Sequence, residues 1–171
     1  VEHTDLTFRL RPVSNELMVA FYGHPRTDRL GILGETSPAE ALRRLQAQAA
    51  PYAASGRPVM PVFELIATLV TASPGSDGLY RQRESTATIR PYLDTIRSAG
   101  GRLILDIQPG RARFIDEARA YETLLREPEV GLALDPEWSV GPTGIPGGGG
   151  IGTVDAAEIN EVSAYMSQLV T

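Results

Sequence analysis

The sequence contains no cysteine and no lysine, only two histidines, and a single tryptophan. Without cysteine there are no disulfides, no zinc–thiolate sites, no thiol nucleophile and no thiol redox chemistry. Two histidines, His3 and His24, are too few for a histidine-rich metal centre. All sixteen basic residues are arginine, a bias that fits a GC-rich genome better than a site, and twenty-one Asp and Glu bring the net charge to −5. That balance supplies no basic stripe for neutralising phosphates, which argues against nucleic acid as a partner. Long apolar runs are missing too: none approaches the roughly 18 to 20 residues that would span a membrane. The first residue is Val1 rather than methionine, so a processed N-terminus, and with it a secreted or extracytoplasmic location, is the expectation.

What is present is the composition of an ordinary globular domain, 171 residues with 42% hydrophobic and 22% charged side chains, long enough for one core. Residues 1–15 lack periodicity and read as an N-terminal arm. After it one theme recurs four times: a short apolar run, a loop, then a segment of helical period. The apolar runs lie at 17–22, 59–65, 103–107 and 130–134. The first helix is announced by Ser37 as cap, Pro38 at the first helical position and Glu40 three residues after the cap, with Pro51 and Gly56 as its stops. In the second, Ile89, Leu93 and Ile96 share a face, Pro91 obscures the start, and Gly100 with Gly101 terminates it. The third carries Phe114, Ala118, Tyr121 and Leu125 on one side. The fourth has Asp155 and Glu158 at capping spacing and a stripe of Ile159, Val162, Met166 and Leu169. Repeated strand–loop–helix units of this kind predict an α/β fold with a parallel sheet.

In such folds ligands gather at the carboxyl ends of the strands. Each predicted strand delivers a polar group there: His24 after the first, Glu64 in the second, Asp106 and Gln108 at the third, Asp135 and Glu137 at the fourth. Residues two apart on a strand share a face, so Asp106 is expected beside Gln108, and Asp135 beside Glu137 if the strand persists past Pro136. Two carboxyls brought together repel, which separates their proton affinities and lets one donate a proton while the other stays ionised; glycoside hydrolysis requires that division of labour. Trp138 supplies a flat apolar surface for a sugar ring. The glycine-rich run at 144–152 lacks the Lys and Ser or Thr of a phosphate loop and reads as a hinged lid over the fourth strand end.

The stretch "DIQPGRARFIDEARAYETLLREPEVGLALDPEW", with "YGHPRTDRLGILGE" near the start, resembles a family of bacterial secreted or lipoprotein-type proteins, mostly uncharacterised, which implies an eight-stranded βα barrel. The segment "LALDPE" is loosely similar to the strand-four end of chitinase-like barrels, where an acid and a spacer precede a catalytic Glu. Asp135 and Glu137 match, whereas Val130 and Ala133 stand where that motif has two further acids. Four units make half of a (β/α)8 barrel, to be completed by a missing half or by a second copy as a homodimer, unless the sheet closes differently. The leading expectation is thus a carbohydrate-active hydrolase acting on a carbohydrate or other small polar ligand: Glu137 as acid, Asp135 and Asp106 as its carboxylate partners, and His24, Glu64, Gln108 and Trp138 lining the pocket. No cofactor is required in this reading. One alternative is metal-assisted hydrolysis with a divalent ion held by His24, Glu64, Asp106 and Asp135. The other is a non-catalytic glycan-binding or structural half-barrel.

Overall fold

The computed structural model of the protein describes residues 15–149 and 151–169, so the expected N-terminal arm lies, except for Asn15, outside the described residues. Four strands, β1 (Leu17–Gly23), β2 (Val59–Val70), β4 (Arg102–Ile107) and β5 (Val130–Leu134), run parallel in the order β1-β2-β4-β5. The α/β expectation with a parallel sheet is thereby met. A short strand, β3 (Arg81–Arg83), pairs antiparallel with the end of β2.

Because each parallel strand adds on the same side of its predecessor, the crossovers all run in one sense and the helices collect on one face of the sheet. These helices are α1 (Pro38–Ala49), α2 (Thr86–Ser98), α3 (Phe114–Ala120), α4 (Glu122–Leu125) and α5 (Ala156–Leu169). One contiguous core joins Phe63, Leu65, Leu103, Leu105 and Ile107 of the strands to Leu45, Leu93, Phe114 and Val162 of the helices. The alternate strand residues form the opposite face. On β1 they are Met18, Ala20 and Tyr22, all exposed, and the arrangement is like that of a half-barrel whose inner wall carries no helix among the described residues.

Local chemistry explains the boundaries. The Ser37 hydroxyl accepts the Glu40 N–H at 3.3 Å as a helix cap, and Glu40's own carboxylate turns outward to Arg43 and Arg44. The helix ends at Ala49, just before Pro51, and a tighter turn runs on to Gly56 at φ 73°. Pro91 sits within α2 without ending it, and the capping hydroxyl is Ser85. Glu158 reaches across to accept the Phe114 N–H at 2.9 Å, so it caps the helix α3 rather than its own.

Two expectations need correction. The second strand runs to Val70, five residues beyond its expected end at residue 65, because a bulge between Ile66 and Thr68 turns Thr68 in beside Ile107. The loop expected over 71–83 instead closes a hairpin through β3. Arg81 and Arg83 there both reach the fully buried carboxylate of Glu117 on α3, at 2.8 and 2.7 Å.

Candidate functional site

The helix-free face of the sheet places the polar strand-end groups in register. Tyr22 lies opposite Glu64 on β2, which lies opposite Ile104 on β4 and then Gly131 on β5. One pleat further along, Asp106 is paired with Ala133 and with Ile66. Asp135 follows β5 on the same face, its N–H donating to the Ile107 carbonyl. Gly131 and Ala133 leave the floor shallow.

Asp106 is the centre of the site. It is 1% exposed. Its Oδ2 accepts the Tyr22 hydroxyl at 3.0 Å, and its Oδ1 is a buried side-chain oxygen with no hydrogen-bond partner among the described residues. Burial first, then the charge of Asp135, and to a lesser degree Glu64 and Glu137, push its carboxyl up to about 7, while the Tyr22 bond pulls the other way. Asp135 is raised by burial and by Glu137, and the hydrogen bond from Gln108 opposes the rise. Glu64 is raised by burial and by Asp135. Tyr22 is held well above its ordinary range by burial and by Asp106, so it stays a proton donor.

The Gln108 amide organises this group. Its Oε1 accepts the Val70 N–H at 3.2 Å, and its Nε2 lies 3.5 Å from the Tyr22 hydroxyl and 3.4 Å from Asp135 Oδ2. Two residues on, Gly110 at φ 61° packs against the 79–80 backbone, where a Cβ would stand 2.5 Å from the Leu79 carbonyl oxygen. Arginine is absent from the group. Among the described residues none forms an ion pair with Glu64, Asp106, Asp135 or Glu137; Arg26 is held by Glu84, Arg81 and Arg83 by Glu117, and Arg90 and Arg97 by Glu127. The four acids therefore feel mainly one another.

The structure thus brings together Glu64, Asp106, Gln108 and Asp135, with Glu137 near enough for its charge to act on both aspartates. The strand does not persist past Pro136. A single turn of 3-10 helix, Pro136–Trp138, leaves Glu137 exposed and Trp138 half-buried, so alternation along β5 is not what relates Asp135 to Glu137. Burial falls stepwise from Asp106 through half-buried Asp135 to exposed Glu137.

His24 goes elsewhere. Its Nδ1 accepts the Arg26 N–H and its Nε2 lies 3.3 Å from Glu84, which also takes Arg26 at 2.7 Å, and burial depresses the imidazole below its ordinary value. Among the described residues no three His, Asp or Glu side chains are gathered in the way a metal centre requires. Arg102, a conceivable partner for Glu64, bonds to the Pro128 carbonyl instead.

The glycine-rich segment, of which Gly150 lies outside the described residues, is tied down on either side. The Gly152 N–H donates to Glu137 O at 2.7 Å and Arg111 Nε to Gly144 O at 2.6 Å. It borders an open pocket of about 300 Å³ whose lining, among the described residues, contains no carboxylate. Sequence reasoning missed Tyr22. As the last side chain of the run LMVAFYG it reads as core, and its one signal was a hydroxyl at the carboxyl end of a strand.

No protein-family model, curated protein or solved structure matches the chain. The fold and the site geometry therefore carry the functional reading alone.

Proposed function

We propose that the chain is a glycoside hydrolase-like, carbohydrate-active domain in which Glu137 faces the substrate and the Asp106–Asp135 pair stands behind it. The observation that carries this reading is Asp106: a buried carboxyl, raised to about 7, with one oxygen unpartnered and an ionisable neighbour in Asp135. A carboxyl pair holding one proton between two sites is a charge reservoir. Glu137 as acid protonates the glycosidic oxygen while the bond to the anomeric carbon breaks, a water molecule bonds to that carbon and releases its proton to solvent, and Glu137 is left anionic beside Asp135. The shared proton then moves from Asp106 toward Asp135. The new negative charge comes to rest on Asp106, where the Tyr22 hydroxyl stabilises it. Tyr22, 39% exposed, and Trp138 offer aromatic surface for a sugar ring.

The test is hydrolysis of a panel of aryl and alkyl glycosides. Glu137→Gln should lower kcat/KM about a hundred- to ten-thousand-fold on poor leaving groups and far less on nitrophenyl glycosides, which depart without a proton. Above about pH 7 the wild-type rate should fall as Asp106 ionises. No turnover across the panel, or a Glu137→Gln protein as active as wild type, would sink the proposal.

A further inference from the structure

We infer that Tyr22 and Gln108 are positioning residues that, with the Val70 backbone amide, polarise a hydrogen-bond chain and confine the acidic proton of Asp106 to Oδ1. The direction of the chain is fixed at its far end. A backbone N–H can only donate, so the Val70 amide obliges Gln108 to present Oε1 to it at 3.2 Å. The Gln108 NH2 group must then point the other way, toward the Tyr22 oxygen and Asp135 Oδ2. Since the tyrosine oxygen accepts from Gln108, its single proton is free for Asp106 Oδ2, 3.0 Å away. Oδ2 is thereby an acceptor. A neutral Asp106 has only Oδ1 left to protonate, and Oδ1 is the buried oxygen for which no other partner exists among the described residues. Protonated there, Oδ1 becomes a donor, and the neutral carboxyl lies close enough to Asp135 for that residue's charge to act on it.

The groups acting on Asp106 are Tyr22 from β1, Glu64 from β2, and Asp135 with Glu137 after β5, and Gln108 joins them through Tyr22 and Asp135. Of these only Tyr22 and Gln108 are donors. They set where the proton sits, while the acids decide whether it stays. The proton's placement holds independently of the substrate; its use in catalysis rests on the hydrolase reading.

The experiment is titration of isotope-labelled aspartate carboxyls by NMR in the full chain, with the Asp106 signal assigned by its loss in Asp106→Asn. Wild-type Asp106 should titrate at about 7. Tyr22→Phe, which removes a donor to the charged form, should move it up by roughly 1 pH unit, and Asp135→Asn, which removes a like charge, should move it down. General loosening of the site would hydrate Asp106 and lower it in both variants, so opposite shifts separate positioning from structure. Titration in the ordinary carboxylate range near 4, or a Tyr22→Phe value at or below wild type, overturns the inference. If the opposite shifts are found and no glycoside is cleaved, the proton placement stands and the hydrolase reading falls.

Discussion

At the scale of single residues, the sequence identified the acids but not their order. Asp106 inside the apolar run LILDI is a legible oddity, since a buried carboxyl needs a partner, and the structure supplies one in Tyr22. Which acid would be deepest was not legible, because depth depends on how the third and fourth strands lie against each other, with Ala133 rather than a large side chain opposite Asp106. The contacts of His24 were not legible for a similar reason: its partner Glu84 is sixty residues away in sequence and reads as an ordinary polar residue before a helix. The burial of Asp106 also has a thermodynamic sign. Its carboxyl binds a proton more tightly folded, at about 7, than unfolded, near 4, so the folded state gains most at low pH and loses that gain as pH rises through 7. Above neutrality the cost approaches about 4 kcal/mol as a ceiling. Asp106→Asn removes it, because a neutral amide can still accept from Tyr22 and donate toward Asp135. The variant should be less active yet more stable than wild type at pH 8, with the gap much smaller at pH 5 and closing only near pH 4, as urea unfolding at these pH values would reveal. A variant less stable at pH 8 would contradict the assignment of a strained buried acid.

At the scale of elements, the four main strands and the main helices were readable because their signals are local: apolar runs for strands, Ser37 with Pro38 for the first helix, Ile89, Leu93 and Ile96 for the second. The hairpin through β3 was not. Three residues, RQR, carry too little periodicity, and the hairpin is held from outside by Glu117, which in FIDEARA reads as a solvated helix residue. Its carboxylate is fully buried, bonded to Arg81, Arg83 and the Thr68 hydroxyl. Removing one partner of a buried ion pair strands the other charges, typically at about 3 to 5 kcal/mol. Arg81 and Arg83 retain some access to water, so Glu117→Ala is expected near the lower end, about 3 kcal/mol, with amide exchange at 81–83 accelerating beyond the global change. Uniform acceleration across the sheet would mean that β3 is not the element Glu117 holds.

At the scale of the whole molecule, the recurrence of strand and helix revealed the class of fold, and the strand order revealed why it has two unlike faces. Every helix lies on the side of Leu105, whereas Ile104, its neighbour in β4, points to the open side over Gly131, whose Cβ position is 3.7 Å from Ile104 Cγ1. The contiguous core and the acid cluster therefore occupy alternate residues of the same strands. Leu105 is fully buried in the contiguous core, and Leu105→Ala should cost about 2 to 5 kcal/mol and lower the unfolding transition as one cooperative step. Ile104 is only half-buried, and Ile104→Ala should cost about 1 kcal/mol or less while enlarging the floor beside Glu64 and Asp106. The two variants differ by one position and test the sheet as a partition. Equal destabilisation would mean that the open face is as much a core as the other, and that the acids lie within packing rather than at the wall of a site.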